Sequence, residues 1–479
     1  MKFVDAALGA ALWLNNSKLC SPGDGCHWPM NSTDGAPQNY PFLSESLYYG
    51  TPGSSLFFAT LARAVGDDRW RAVAEEALDH TVARLNDTVK AFGPNPGFYY
   101  GLLGIAYGLR AANTSARHRT AAASIEMHVL STVEPFATAS SSTTLWNNTD
   151  VAHGVAGAGL YLLWAAHNGA DVTQIIQPLV RAADWLLDVA EATPDGGLRW
   201  YRGVDTDGVH AGQYFPTFCC GGAGVSFFLA TLADALPQLG GGEAASTRFL
   251  DAAKRGAAHA MAEAYWIHGT AVEEEFTVAN SNSSNELADS SAALLLPHAE
   301  EGAGRKLYYL GWCGGPPGWA RLFVALWHAT ADAQWLDRLT AAVRATALLV
   351  PSQLNMIFPP TLGRAPWANL GQCCGASAAG TFLLRVATSS LPLPEEVRHV
   401  AMDAARAIGQ RIVHHAVPAG PASGLAFPSA EEHAAPANTT WQTGWMQGAA
   451  GVAAFLLHLD AVESHGRGNR PLWPDEPLW

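Results

Sequence analysis

The chain has 479 residues, of which 49% are apolar and only 15% are charged, so it is long and apolar enough to bury a large core. Its formal net charge of −14 argues against nucleic acid or an anionic membrane surface as the main partner. No apolar run approaches the roughly 20 residues that span a bilayer, so we expect no transmembrane segment.

The N-terminal stretch MKFVDAALGAALWLNNSKLC predicts an amphipathic helix, because Asp5 interrupts its apolar run and no clear signal-peptide cleavage site follows. Residues 1–43 are expected to form this helix and an irregular lead-in. Cys20 and Cys26 flank the turn-rich SPGDG and are either a local disulfide or two surface thiols. We expect a cytoplasmic monomer, with a secretory route kept open by seven N-glycosylation sequons. The sequons begin at Asn15, Asn31, Asn86, Asn113, Asn147, Asn282 and Asn438.

A glycine motif recurs seven times, in which G-x-x-G leads into an apolar run with helical spacing. The instances are SLYYGTPG, GFYYGLLG, DVAHGVAG, TFCCGGAG, GWCGGPPG, GQCCGASA and GWMQGAAG, the sixth with Ala378 in place of the second glycine. Bare backbone at such glycines lets neighbouring helices crowd around a common axis. For most of the seven motifs we expect this packing role and nothing more.

More polar helical stretches alternate with the motifs, for example DDRWRAVAEEALDHTVARL and EEVRHVAMDAARAIGQRIV. Their apolar residues fall on one face, whereas the glycine-led segments are apolar nearly all round, as buried helices are. The alternation predicts an all-α, double-layered α/α toroid with seven inner helices, formed as one domain by residues 1–479. The Gly- and Pro-rich tracts that begin at Thr193 and Ala416 are predicted to be loops rather than domain linkers.

If the seven motifs are equivalent, the two residues before each first glycine converge at one end of the toroid, beside helix N-termini that favour thiolates and anions. Three of these residues, Cys313, Cys373 and Cys374, offer three sulfurs from two adjacent inner helices, and thiolates are preferred zinc ligands. Without a CxxC spacing, buried core cysteines or a vicinal disulfide stay open as alternatives. The full set of pairs is Tyr48-Tyr49, Tyr99-Tyr100, Ala152-His153, Cys219-Cys220, Cys313-Gly314, Cys373-Cys374 and Met446-Gln447.

These residues resemble a known family, the lanthionine synthetase C-like (LanC-like) proteins, over nearly the whole chain. The segments WCGGPPG (312–318) and QCCG (372–375) are similar to the family's W-C-x-G-x-P-G and C-H-G zinc motifs, in the same order. The resemblance implies a double-layered toroid and a Zn²⁺ ion held by Cys313 and Cys373. Cys374 stands where the family usually has a histidine, which makes a third sulfur ligand.

The chemistry implied by the resemblance is the addition of a thiol, from cysteine or glutathione, to dehydroalanine or dehydrobutyrine in a peptide or protein. Zinc lowers the pKa of the thiol, and a protein acid then protonates the α-carbon. Asp150 matches a family aspartate and also suits a helix N-cap. Cys220 stands in place of the active-site histidine, either as the acid or as a fourth zinc ligand. His153 is an alternative acid or a hydrogen-bonded core histidine, and His210 is a weaker candidate.

Three functions follow from these observations. The first is a zinc-dependent thioether-forming enzyme, favoured by Asp150 and the three sulfurs. The second is a non-catalytic LanC-like protein that binds zinc and glutathione, favoured by the replacement at Cys220. The third is an α/α-toroid glycoside hydrolase, which needs two opposed carboxylates near the axis, with Asp150 and Glu45 as the nearest candidates.

Overall fold

The structure is a computed structural model. It describes residues 1–30, 43–93, 95–132, 148–203, 214–267, 293–302, 305, 307–353, 369–419, 424–428, 441–466 and 473–477. Within these ranges the chain is mostly helical. The helices are α1 (Phe3–Ser17), α2 (Thr51–Val65), α3 (Asp68–Ala83), α4 (Leu85–Phe92), α5 (Leu102–Ala111), α6 (Ala116–Thr132), α7 (Val155–His167), α8 (Val172–Asp188), α9 (Gly222–Ala235), α10 (Glu243–Ala262), α11 (Pro316–Thr330), α12 (Gln334–Gln353), α13 (Ala376–Ala387), α14 (Glu395–His414) and α15 (Ala449–His465).

Seven of the helices form the inner layer, and each begins at the residue that follows the first glycine of a repeat motif. They are α2, α5, α7, α9, α11, α13 and α15. Their residues are buried on every side, as in α7, where Val155–Leu163 contains no exposed position. Each contacts the next around the ring, and α15 contacts α2, so the layer is closed. The predicted α/α toroid is confirmed.

The outer helices present one apolar face to the inner layer and one polar face to solvent. In α3, the buried side chains include Trp70, Val73, Ala77 and Leu78, while charged residues lie between them. The helices α3, α6, α8, α10, α12 and α14 each pack on the inner helix that precedes them in the chain. This spacing buries one stripe of each outer helix and leaves the rest exposed.

The N-terminal helix α1 is the outer partner of the last inner helix, α15. Its alanines Ala6, Ala7 and Ala10 are fully buried, and the Val4 backbone N–H donates to Asp460 Oδ1 of α15 at 3.1 Å. The first and last parts of the chain therefore complete the seventh helix pair together.

The strands are short antiparallel hairpins outside the helical layers: β1 (Leu19–Ser21) with β2 (Gly25–His27), β3 (Glu191–Ala192) with β4 (Leu198–Arg199), β5 (Tyr265–Ile267) with β6 (Ala293–Leu295), and β7 (Val417–Pro418) with β8 (Leu425–Ala426). The two tracts predicted as loops thus contain two-residue strands. Cys20 and Cys26 face each other across β1 and β2 and form a disulfide, one of the two states left open by the sequence. Among the described residues, no helix has the length and apolar character that crossing a membrane requires.

Candidate metal and thiol site

A closed ring of backbone hydrogen bonds joins the seven turns that precede the inner helices. In each turn, the residue two positions before the first glycine donates its N–H to the carbonyl of the equivalent residue in the next turn, at 2.9–3.1 Å. The order around the ring is Tyr48, Tyr99, Ala152, Cys219, Cys313, Cys373, Met446 and back to Tyr48. The predicted convergence of these positions at one end of the toroid is confirmed.

Close backbone approach favours glycine at the motif positions, although Ala378 occupies the second position in the sixth motif. The inner helices start on an extended glycine. In α5, α7, α9, α13 and α15 the first N–H donates to the carbonyl seven residues earlier, as Val155 does to Asn148 at 2.9 Å. Because the turn folds back so tightly, a Cβ on Gly157 would overlap the carbonyl oxygen of Val151. The first N–H groups of these helices are therefore used by the turn itself.

Five cysteine sulfurs gather on one side of the ring. Those of Cys313, Cys373 and Cys374 all lie within 4.8 Å of one another, and so do those of Cys219, Cys220 and Cys313. Cys220 is half-buried and the other four are buried, with Cys313 8% exposed. The Sγ atoms of Cys219 and Cys313 are 2.6 Å apart, and those of Cys373 and Cys374 are 3.4 Å apart. The arrangement is a thiol cluster with Cys313 at its centre.

A buried ion pair lies one turn further around the ring from the cysteines. Asp150 is fully buried, and its Oδ2 accepts a hydrogen bond from Arg202 Nε at 3.1 Å. Its Oδ1 accepts from the His153 backbone N–H at 2.6 Å, a contact within the turn before α7, whereas the N-cap of α7 itself is Gly154. The His153 ring follows, with Nδ1 at 3.4 Å from Asp150 Oδ2 and also 3.4 Å from Arg202 Nη2. Asp150 thus fixes both the backbone and the ring of His153.

Comparisons with known proteins bear on the family and on the fold. The sequence model of the family described as lanthionine synthetase C-like protein matches residues 41–202. Among solved structures, nisin cyclase superposes with a TM-score of 0.57 at 15% identity, covering 89% of this chain and 90% of that one. The resemblance to the LanC-like family is confirmed.

Two further solved toroids are more distant. An α-1,6-mannanase, GH76A of Salegentibacter sp. HEL1_6, gives a TM-score of 0.45 at 11% identity, covering 96% of this chain and 98% of that one. An unsaturated glucuronyl hydrolase from Bacillus sp. GL1 gives 0.44 at 13% identity, covering 97% of each chain. Neither is similar enough to carry an argument about function. A search of curated protein sequences gave no significant match.

The thiols of the cysteine cluster differ in pKa. Burial raises the pKa of Cys219 well above its ordinary value. Hydrogen bonds from Cys219 and Cys313 lower the pKa of Cys220 well below it, and the charges of Arg202 and His153 act in the same direction. A metal ion that binds to these cysteines binds their thiolates, so its binding would displace protons from the thiols.

Aromatic rings continue the wall of the site away from the cysteines. Tyr100 stacks on His153 with ring centroids 4.3 Å apart, and Tyr48 stacks on Tyr100 at 4.4 Å. Gln447 Nε2 donates to the Tyr48 hydroxyl at 2.6 Å. Against the effect of burial, hydrogen bonds with Cys313 and Cys374, and then with Tyr48, lower the pKa of the Cys373 thiol. The ring of His153 is thus held from one side by Tyr100 and from the other by Asp150.

Residues 473–477 fill the axis of the toroid behind the ring. Asp475 Oδ2 accepts hydrogen bonds from the Tyr99 hydroxyl at 2.9 Å and from Trp312 Nε1 at 2.6 Å, and burial raises the pKa of this carboxyl. Trp473 and Glu476 also line a cavity of about 720 Å³ at the C-terminal ends of α5, α7, α9 and α11. The segment thereby separates that cavity from the turns that carry the cysteines.

The structure brings most of the predicted site residues together. Asp150 and His153 share the turn before α7, and Cys220 lies in the next turn as a member of the cysteine cluster. Glu45 lies away from them, with Oε1 at 3.7 Å from His80 Nε2 of the outer helix α3. His210 lies outside the described residues. Sequence reasoning missed Arg202, which follows β4 and reaches Asp150 from 52 residues away. It also gave Cys219 no role of its own, although the CC doublet was visible.

Proposed function

We propose that this single toroidal domain, residues 1–479, is a zinc-dependent enzyme that adds a thiol of cysteine or glutathione to dehydroalanine or dehydrobutyrine in a peptide or protein. The observation that carries the proposal is the mutual approach of the Cys313, Cys373 and Cys374 sulfurs to within 4.8 Å at the ring. Three protein ligands are typical of catalytic zinc sites, in which one position stays open for a substrate.

The donor set fits zinc. Zn–S bonds of about 2.3 Å with tetrahedral angles require sulfurs roughly 3.8 Å apart, which the limit of 4.8 Å among these three sulfurs allows. All three side chains are buried within a helical scaffold, so little rearrangement is needed to present them. Their thiols are soft ligands, for which zinc is a preferred partner.

Zinc bound there would lower the pKa of the substrate thiol, so that the thiol would react as a thiolate at neutral pH. The new bond joins this sulfur to the β-carbon, and the electron pair of the C=C bond moves to the α-carbon and its carbonyl. A proton must then reach the α-carbon. His153 is the proposed acid, since Asp150 stands at Nδ1 and leaves Nε2 as the nitrogen not engaged by the carboxylate. Cys220 is the alternative acid, and Arg202 holds Asp150 in place.

The decisive experiment offers zinc-loaded protein a dehydroalanine peptide with glutathione and detects adducts by mass spectrometry. We expect an adduct with the wild-type protein and none with Cys313→Ala, whose bound zinc should fall while its helix content is kept. Cys20→Ala is the matched control, because Cys20 lies in the disulfide of the β1–β2 hairpin. If zinc is bound and no adduct forms, catalysis is refuted.

That last result would support the second candidate, a non-catalytic LanC-like protein that binds zinc and glutathione. The observation in its favour is Cys220, which takes the place of the family histidine and lies within 4.8 Å of Cys313. Cys220→His distinguishes the two, since gain of adduct formation would identify this position as the missing acid. A glycoside hydrolase has little support, because Asp150 is paired with Arg202 and Glu45 contacts an outer helix.

A further inference from the structure

The cysteine cluster consists of two doublets on either side of Cys313, and the metal site proposed above involves only one of them. The doublet Cys373-Cys374 lies on one side of Cys313 in the ring, and the doublet Cys219-Cys220 lies on the other, at the same two positions before the first glycine. The Cys219 N–H donates to the Cys313 carbonyl at 2.9 Å, and the Cys313 N–H donates to the Cys373 carbonyl at 3.0 Å. Both doublets are therefore presented to Cys313 by the same backbone connection.

The sulfur positions separate the cluster into two sets of three that share Cys313. Among the described residues, no four of these sulfurs meet the same limit of 4.8 Å from one another. A single tetrahedral site with Cys220 as fourth ligand would need such a set. The Cys313 sulfur lies within 4.8 Å of each of the other four sulfurs, so it is the ligand that both sets could share.

We propose that Cys219, Cys220 and Cys313 form a second site for a thiophilic divalent cation of the zinc class, with the Cys313 sulfur bridging the two ions. The inference rests on the proposed function only through Cys313, which both sites share. Two three-sulfur sites that share one ligand need five sulfurs, which is the number found here.

Charge supports the same arrangement. Five thiolates around one divalent cation would leave three negative charges in a site where four of the five cysteines are buried. Two divalent cations reduce this to a single negative charge, which lessens the repulsion between the sulfurs. Each cation that binds displaces protons from the thiols to solvent, so loading with Zn²⁺ at fixed pH releases acid.

The first test is metal stoichiometry of the full chain, reduced, stripped with a chelator and reloaded with Zn²⁺. We expect two zinc ions per chain in the wild type, one in Cys219→Ala/Cys220→Ala and one in Cys373→Ala/Cys374→Ala. The matched control Cys20→Ala/Cys26→Ala also removes two cysteines and should keep two ions. Where the double alanine variant does not fold, Cys220→Ser alone, at the half-buried position, should lower the stoichiometry towards one.

One zinc per chain that is unchanged in Cys219→Ala/Cys220→Ala overturns the second site and leaves the proposed function standing. One zinc that is lost only in Cys219→Ala/Cys220→Ala overturns both the shared cluster and the proposed catalytic site. No zinc in the wild type overturns both as well.

A second test examines the bridge by titration with Co²⁺. A thiolate shared by two Co²⁺ ions couples their electron spins. In the wild type, the magnetic susceptibility per cobalt ion should therefore decrease as the second equivalent of Co²⁺ is added. Cys219→Ala/Cys220→Ala should bind one equivalent with an undiminished signal. Two bound cobalt ions that keep their full signal would overturn the bridging role of Cys313.

Discussion

Replacement of Asp150 by alanine should destabilise the protein because it leaves the Arg202 guanidinium buried without its carboxylate. Asp150 is fully buried and Arg202 is 4% exposed, with Nε and Oδ2 3.1 Å apart. Removing one partner of a buried pair costs about 3–5 kcal/mol, and the lost hydrogen bond to the His153 N–H adds about 1 kcal/mol. We therefore expect Asp150→Ala to lower the free energy of unfolding by about 4–6 kcal/mol.

This loss translates into a modest shift of the melting temperature. An unfolding entropy of about 2.1 cal/mol/K per residue gives about 1 kcal/mol/K for 479 residues, so Tm should fall by about 4–6 °C. Differential scanning calorimetry measures this shift. The control is Asp403→Ala, which removes an exposed α14 carboxylate at 2.9 Å from Arg406 and should change Tm by less than 1 °C.

The double variant Asp150→Ala/Arg202→Met separates charge burial from packing. Because both charges are then absent, we expect it to be more stable than Asp150→Ala alone. If Asp150→Ala shifts Tm no more than the control does, or if the double variant is the less stable of the two, the buried charge of Arg202 is not the cause and the reasoning fails.

Three further predictions concern stability. The Glu300 carboxylate accepts a hydrogen bond from His259 at 3.0 Å and, against the opposing effect of burial, raises the histidine pKa above 6.5. The resulting stabilisation is complete below pH 6.5 and is lost as the pH rises through the raised pKa. In His259→Gln, the free energy of unfolding from chemical denaturation should therefore depend less on pH in this window. Gly451→Ala should lower the free energy of unfolding in urea by more than about 2 kcal/mol, because its Cβ would overlap a carbonyl of the preceding turn. Ala378→Gly, at the equivalent position, should lower it by only about 0.5–1 kcal/mol, and equal effects would contradict the close-approach explanation. Trp473→Ala should cost about 3–5 kcal/mol, since this ring is 3% exposed within the aromatic core, and a loss below 1 kcal/mol would show that the axial segment contributes little.

The sequence by itself determined the repeat and therefore the fold. Each inner helix needs a bare-backbone turn before it and apolar residues on every side, and both requirements are local, so GFYYGLLG or TFCCGGAG can be recognised from eight letters. The same local register places Cys219, Cys313 and Cys373 at equivalent positions, because a repeat that closes on itself brings equivalent residues to one ring. The cysteine cluster was thus predictable once the repeat was seen.

Only the tertiary structure decided which side chains surround that cluster. Arg202 reaches Asp150 across 52 residues, Val4 reaches Asp460 across 456, and Asp475 reaches Tyr99 across 376. Arg202 and Asp475 lie in no periodic pattern, and each contact depends on how a loop or terminus crosses the finished toroid. The sequence therefore places the sulfurs, since helix register and ring closure fix them locally. The partner of the carboxylate and the segment that fills the axis depend on long-range packing, which no short stretch of sequence encodes.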